Sequence, residues 1–104
     1  MRKAKVFVNG IAAGVLHEID KGKKYEFYYV ENYSGLAVSL TMPVEKRTFI
    51  FESFPPFFDG LLPEGLQLEA LLRQKKLDRS DYFGQLVAVG ADMVGSVTVE
   101  EVVE

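Results

Sequence analysis

Cysteine and tryptophan are absent from this chain of 104 residues, and histidine occurs once. Without cysteine there is no disulfide framework and no thiolate for metal binding or nucleophilic attack, so packing must supply the stability. This composition fits a reducing compartment, and we expect a cytoplasmic protein. The basic start is followed by a break at Asn9 and Gly10, before a signal-peptide core could form. No segment has the roughly 18 unbroken apolar residues of a membrane-spanning helix.

Residues for catalysis, metal binding or phosphate binding are also scarce. His17 has no nucleophile motif beside it, and we interpret it as a solvent-facing strand residue. Gly90 and Gly95 have the spacing of a phosphate-binding loop, but no lysine follows them and a strand rather than a helix comes next. The net charge of −3 disfavours direct binding to nucleic acid. We therefore expect no catalytic, cofactor or metal-binding residue, and no enzyme activity.

The first half of the chain has the pattern of an antiparallel meander. Residues 3–8 and 11–19 are rich in β-forming residues and flank Asn9 and Gly10, a strong hairpin signal. In the next segment Tyr25, Phe27 and Tyr29 alternate with other residues, so they share one face of a third strand. We expect a further short strand at residues 36–42, which Pro43 would end.

The second half has helical signals and then one strand. We predict helices at about residues 56–62 and 66–77, and a third that is capped by Ser80, with Asp81 in its first turn, and ends at Gly90. A last strand is expected at residues 94–99, and the phenylalanines of residues 49–58 should form the core under the helices. The order predicts one α+β domain over residues 1–104, a small, mostly antiparallel sheet with about three helices packed on one face.

Several segments carry a family resemblance. Residues 57–65, with the sequence FFDGLLPEG, residues 83–86, 89–92 and 94–98, and the opening hairpin with Gly14 together resemble the N-terminal subdomain of the HipA family of bacterial serine/threonine kinase toxins. The resemblance covers nearly the whole chain. It implies the fold of that subdomain, while the catalytic core of the kinases has no counterpart in this sequence. No ATP-binding or catalytic residue can therefore be carried over.

What remains is similar to the HipS-like proteins of three-part HipB–HipS–HipT toxin–antitoxin systems, in which a separate small chain supplies the subdomain that a shortened kinase lacks. The resemblance implies a non-catalytic antitoxin that binds and neutralises a HipT-like kinase toxin, with a HipB-like DNA-binding protein joined through the complex. The alternative is that the sequence is the N-terminal subdomain of a longer HipA-type kinase.

The expected partner interface is the segment that opens the second helix, with the residues Pro63, Glu64, Gly65, Leu66 and Gln67. Leu66 lies about 200° around the helix from Leu68, away from the stripe of Leu68, Leu71 and Leu72. We expect that stripe to be core, so that truncating any of its leucines costs about 2–5 kcal/mol. Leu66 either contacts the partner or packs on Leu62 and caps the core, and the sequence leaves both open.

Overall fold

The computed structural model describes residues 2–92, with the backbone alone at Asp92, and residues 95–102. Five strands and three helices follow one another as β1 (Arg2–Val8), β2 (Ile11–Asp20), β3 (Lys24–Tyr29), β4 (Thr48–Phe51), α1 (Pro56–Asp59), α2 (Gly65–Lys75), α3 (Tyr82–Val89) and β5 (Val97–Glu101). The strands form one antiparallel sheet in the order β4-β3-β2-β1-β5. The predicted α+β class is confirmed.

The hairpin between β1 and β2 forms where the sequence predicted it. Asn9 and Gly10 have φ angles of 51° and 80°, the left-handed pair that a tight hairpin turn needs. Val8 consequently pairs with Ile11 across the turn. Alternate residues on the two strands, among them Val6 and Leu16, are fully buried on one face of the sheet.

Aromatic side chains fill the core between that face and the helices. Phe27 on β3 lies 5.0 Å from the ring of Tyr29, 6.4 Å from Phe49 on β4 and 6.0 Å from Phe58 on α1. From α3, Phe83 and the neighbouring Leu86 add fully buried side chains. Of the phenylalanine-rich segment, Phe49, Phe54 and Phe58 are buried while Phe51 and Phe57 are half-buried, so the expectation of a core under the helices holds for most of it.

The prediction of a strand at residues 36–42 is wrong. This segment forms turns with a single bridge between Ser39 and Met42, and the fourth strand is Thr48–Phe51 instead. Side chains hold the long loop: the guanidinium of Arg47 donates to the carbonyls of Val30, Glu31 and Tyr33. The hydroxyl of Tyr29 similarly donates to the carbonyl of Met42. These side-chain donors satisfy carbonyls that a strand partner would otherwise have to satisfy.

The boundaries of the remaining elements differ from the predictions by a few residues. Helix α1 ends at Asp59 rather than residue 62, and α2 runs from Gly65 to Lys75. The cap of α3 is Asp81 and not Ser80: the Asp81 carboxylate accepts a hydrogen bond from the backbone amide of Gly84 at 3.1 Å. The last strand begins at Val97, and Val94, its predicted start, lies outside the described residues.

One ion-pair cluster joins the first strand to the last helix. Arg2 donates from Nε to Glu18 Oε1 at 2.8 Å and from Nη2 to Asp81 Oδ1 at 2.7 Å. Glu18 is the cross-strand partner of Arg2 on β2, whereas Asp81 is the cap of α3. The Arg2 guanidinium also lies 5.0 Å from the centre of the Phe83 ring. Both carboxylates are buried, so the cluster fixes the start of α3 against the sheet.

Burial by itself would raise the pKa of Asp81, but hydrogen bonds from Arg2 and from the Gly84 amide, with the charge of Arg2, outweigh it. The pKa of Asp81 is lowered below its usual value. The ionised form is thus favoured in the folded protein.

We expect Asp81→Ala to lower the free energy of unfolding by about 2–3 kcal/mol, because it removes a helix cap and leaves Arg2 one carboxylate short. Ser80→Ala is the matched control, since Ser80 is exposed and does not cap the helix. Urea denaturation of both variants measures the difference. An equal loss in the two variants would contradict this assignment of the cap.

The lowered pKa of Asp81 also predicts how stability depends on pH. A carboxyl whose pKa is lower in the folded chain than its value of about 3.9 in the unfolded chain stabilises fully above that value and loses this effect as pH falls through the folded pKa. Asp81→Asn should therefore lose less stability than the parent between about pH 5 and pH 2. Denaturation curves across this pH range test it, and parallel losses in both proteins would refute it.

Candidate functional site

The predicted interface segment lies at the start of α2, on the surface. Pro63 is half-buried, and the four residues after it are exposed. Glu64 is the N-cap position of α2 but its side chain makes no capping hydrogen bond. Leu66 is 88% exposed in the first turn of the helix. The structure thus brings the five predicted residues together as one short surface segment.

The backbone around this segment is well defined by turns. After α1, the amides of Leu61 and Leu62 donate to the carbonyls of Phe58 and Asp59, both at 3.1 Å. Gly65 then has a φ of 58°, a left-handed conformation in which a side chain is strained, although a Cβ there would meet no atom within 4 Å. Glycine therefore allows the sharp entry into α2 that carries Leu66 outward.

The exposure of Leu66 excludes the interpretation that it packs on Leu62 and caps the core. Had Leu66 packed on Leu62 and capped the core, it would be largely covered. Leu62 is half-buried and packs against the core without it. Leu66 is instead an apolar side chain that lies in solvent. Isolated leucines are common on protein surfaces, and an exposed leucine is also free to contact a partner.

Helix α2 is attached more loosely than the sequence predicted. Its inner stripe, Leu68, Leu71 and Leu72, is half-buried, and no residue of α2 is fully buried. The stripe does face inward relative to Leu66, as its spacing predicted. However, the sequence pattern cannot show how much of the sheet α1 and α3 already cover, and the prediction that these leucines belong to the core is wrong.

The far end of α2 is held by the loop that leads into α3. Lys76 has a left-handed φ of 54°, and the Leu77 amide donates to the carbonyl of Leu72 at 3.1 Å, which ends the helix. Gln85 on α3 donates to the carbonyls of Asp78 and Arg79 at 3.2 and 3.0 Å. Helix α2 is therefore fixed at both ends while its outer face stays in solvent.

A surface cleft of about 230 Å³ lies beside the segment, between the α1–α2 turn and α3. Leu62, Pro63 and Leu68 supply apolar walls, and Arg79 and Tyr82 lie on the side of α3. An ion pair between Arg79 and Glu69 of α2 borders it. No sequence pattern indicates that Arg79 and Tyr82 are neighbours of the segment, because only the packing of α2 on α3 brings them near.

Chemistry elsewhere in the described residues is sparse. No group of three or more His, Cys, Asp or Glu side chains in residues 2–92 and 95–102 could hold a metal ion. No helix within that part of the chain is long and apolar enough to cross a membrane. His17 is half-buried rather than solvent-facing, and its Nε2 is covered, with no hydrogen-bond partner among the described residues. Its cross-strand neighbours Lys3 and Glu26 share with it the sheet face away from the helices.

Comparison with known proteins gives three matches. The family model of the HipA N-terminal domain matches residues 4–100. An uncharacterized protein of Haemophilus influenzae is 34% identical over 101 residues, which cover 97% of this chain and 93% of that protein. A solved structure of the N-terminal domain of HipA toxin superposes with a TM-score of 0.78 at 30% identity, over 100% of this chain and 95% of the other.

The half-burial of α2 predicts graded costs for leucine truncation. Leu71→Ala should lower the free energy of unfolding by about 1–2 kcal/mol, since its side chain is only partly buried. Leu86→Ala, at a fully buried position of α3, is the matched control and should cost about 2–5 kcal/mol. Thermal and urea denaturation measure both. A loss of unfolding free energy at Leu71 as large as that at Leu86 would show that α2 belongs to the core.

Proposed function

The chain belongs to the HipA N-terminal domain family, and from this membership we propose that it is a non-catalytic antitoxin that binds and neutralises a cognate HipT-like serine/threonine kinase toxin. The domain is the non-kinase part of HipA, so a partner must supply any kinase activity. In this proposal the chain turns over no ATP, and its contribution is a surface that fits the kinase.

The observation that carries the proposal is the exposure of Leu66 on an otherwise fixed segment. Interfaces depend on a few apolar or aromatic anchors that enter pockets of the partner, surrounded by polar contacts that exclude water. Leu66 has the exposure that such an anchor needs, and Glu64 and Gln67 flank it with polar groups. Because turns on both sides of α2 hold the segment, little conformational entropy is lost on binding.

The length of the match supports the stand-alone protein over the alternative of a longer HipA-type kinase. The alignment covers 93% of the Haemophilus influenzae relative, which leaves no room in that relative for a kinase domain. The likeness to the N-terminal domain of HipA toxin supports a partner of the HipA type. A subdomain packed against a kinase within one chain keeps a complementary surface when the two are separate chains.

Contact with DNA is assigned in this proposal to a HipB-like protein that joins through the complex. The chain has 15 acidic and 12 basic residues, so its overall field repels a phosphate backbone. We propose a cytoplasmic location, where such a kinase would act.

Leu66→Asp tests the proposal. The substitution should leave the melting temperature nearly unchanged, because the side chain is in solvent, and should weaken binding to the kinase at least tenfold by placing a charge in an apolar pocket. The measurements are thermal melting of the free chain, co-purification with a co-expressed HipT-like kinase, and growth of cells that express both.

Leu36→Asp is the matched control, since Leu36 is 69% exposed in the loop of residues 30–47, far along the chain from α2. It should bind and neutralise as the parent does. If Leu66→Asp is folded and still neutralises the kinase, the α2 segment is not the contact. If the parent chain itself neither binds nor neutralises the kinase, the antitoxin function is wrong.

A further inference from the structure

Strand β4 forms one edge of the sheet, and its outer side carries unpaired backbone groups. The amide of Tyr29 donates to the carbonyl of Arg47, and pairing continues through Phe27 with Phe49 and Tyr25 with Phe51. In an antiparallel ladder every second residue pair exchanges hydrogen bonds, and the residues between them point their amides and carbonyls the other way. Thr48 and Ile50 therefore direct these groups away from β3.

Within the described residues, no backbone or side-chain group bonds to the outward amides and carbonyls of Thr48 and Ile50. Both residues are exposed, and Ile50 is 53% exposed. The strand, with the sequence TFIF, also lacks the proline or charged residue that often protects an edge.

The opposite edge of the same sheet is covered at its centre. On β5 the Val102 amide donates to Lys3 and the Asn9 amide to the Ser96 carbonyl, so the carbonyl of Val99 points away from β1. Gly90 lies directly against that carbonyl: a Cβ on Gly90 would sit 2.0 Å from it. Gly90 thus covers the β5 edge at Val99, whereas no described group bonds to the outer side of β4.

A cavity of about 370 Å³ lies against the open edge. Phe49, Ile50 and Phe51 all line it, although their side chains alternate between the two faces of the sheet, so the cavity follows the outer backbone of the strand. Pro56 and Phe57 of α1 line it as well. The remaining walls, Thr41, Met42 and Lys46, come from the preceding loop, and Lys46 is the one charged residue among those that line it.

We propose that the β4 edge is a second docking site, which takes an extended peptide segment of a partner protein that carries an apolar side chain and, two residues away on the same face, an acidic one. The outward groups of Thr48 and Ile50 select an extended backbone, as in recognition by strand addition. The cavity accepts the apolar side chain. Lys46, whose Nζ lies 5.2 Å from the centre of the Phe49 ring, faces the acidic side chain.

This site is separate from the α2 segment and does not rest on the proposed function. None of the residues that line it belongs to the group Pro63–Gln67.

Selection of a phage library of random heptapeptides on the purified chain tests the proposal with short peptides in place of the partner protein. Enriched peptides should combine an apolar residue with an aspartate or glutamate two positions away, because alternate residues of an extended peptide share a face. On binding, the backbone amides of Thr48 and Ile50 should become protected from hydrogen exchange in NMR spectra. Failure to enrich such peptides, or protection confined to other residues, would overturn the proposal.

Ile50→Pro removes the outward amide without touching the β3 ladder and should weaken peptide binding at least tenfold. Ile50→Thr keeps the amide and a branched side chain, and should bind as the parent does. Lys46→Glu should change the preference from acidic to basic peptides. This variant tests the site independently if Ile50→Pro lowers the melting temperature. Equal binding by all variants would show that the edge binds no peptide. A dimer of the parent that Ile50→Pro abolishes in sedimentation would show that the edge binds a second copy of the chain, and would also contradict a peptide site.

Discussion

The ion-pair cluster around Arg2 is the contact on which the rest of the arrangement depends. It joins the first strand to a helix 79 residues later in the chain, because Arg2 bonds Glu18 and Asp81 at once. Both carboxylates are buried, and an unpaired buried charge is costly. The ion pairs of Arg2 with Glu18 and Asp81 must therefore form together. Asp81 also caps α3, which means that the same cluster orients the helix whose Gln85 holds the loop after α2.

This arrangement separates the residues that hold the fold from those that can serve a partner. The core lies between the sheet and the helices α1 and α3, where Phe27, Phe58 and Phe83 are fully buried. Helix α2 is attached at its two ends and buries no residue completely. A change on its outer face therefore alters the surface with little effect on stability, and this independence is what a protein-binding segment requires.

Local patterns in the sequence predicted the first hairpin, the further strands β3 and β5, and three helices, since turn chemistry and periodicity act over a few residues. The same patterns could not identify β4 or the cap of α3. Residues 36–42 are as apolar as a strand, but Arg47 and Tyr29 bond their loop from elsewhere in the chain. Ser80 and Asp81 are both good caps, and Arg2 favours the second. The helical periodicity correctly predicted that Leu66 points away from Leu68. The shallow burial of α2, however, depends on tertiary packing.

Hydrogen exchange of the chain with and without an excess of a HipT-like kinase tests the central claim most directly, because it reports binding and its location together. The account predicts slower exchange over residues 62–69 on addition of the kinase, with the exchange of β1 and β2 unchanged. Unchanged exchange over residues 62–69, whether the kinase binds elsewhere or not at all, would contradict it.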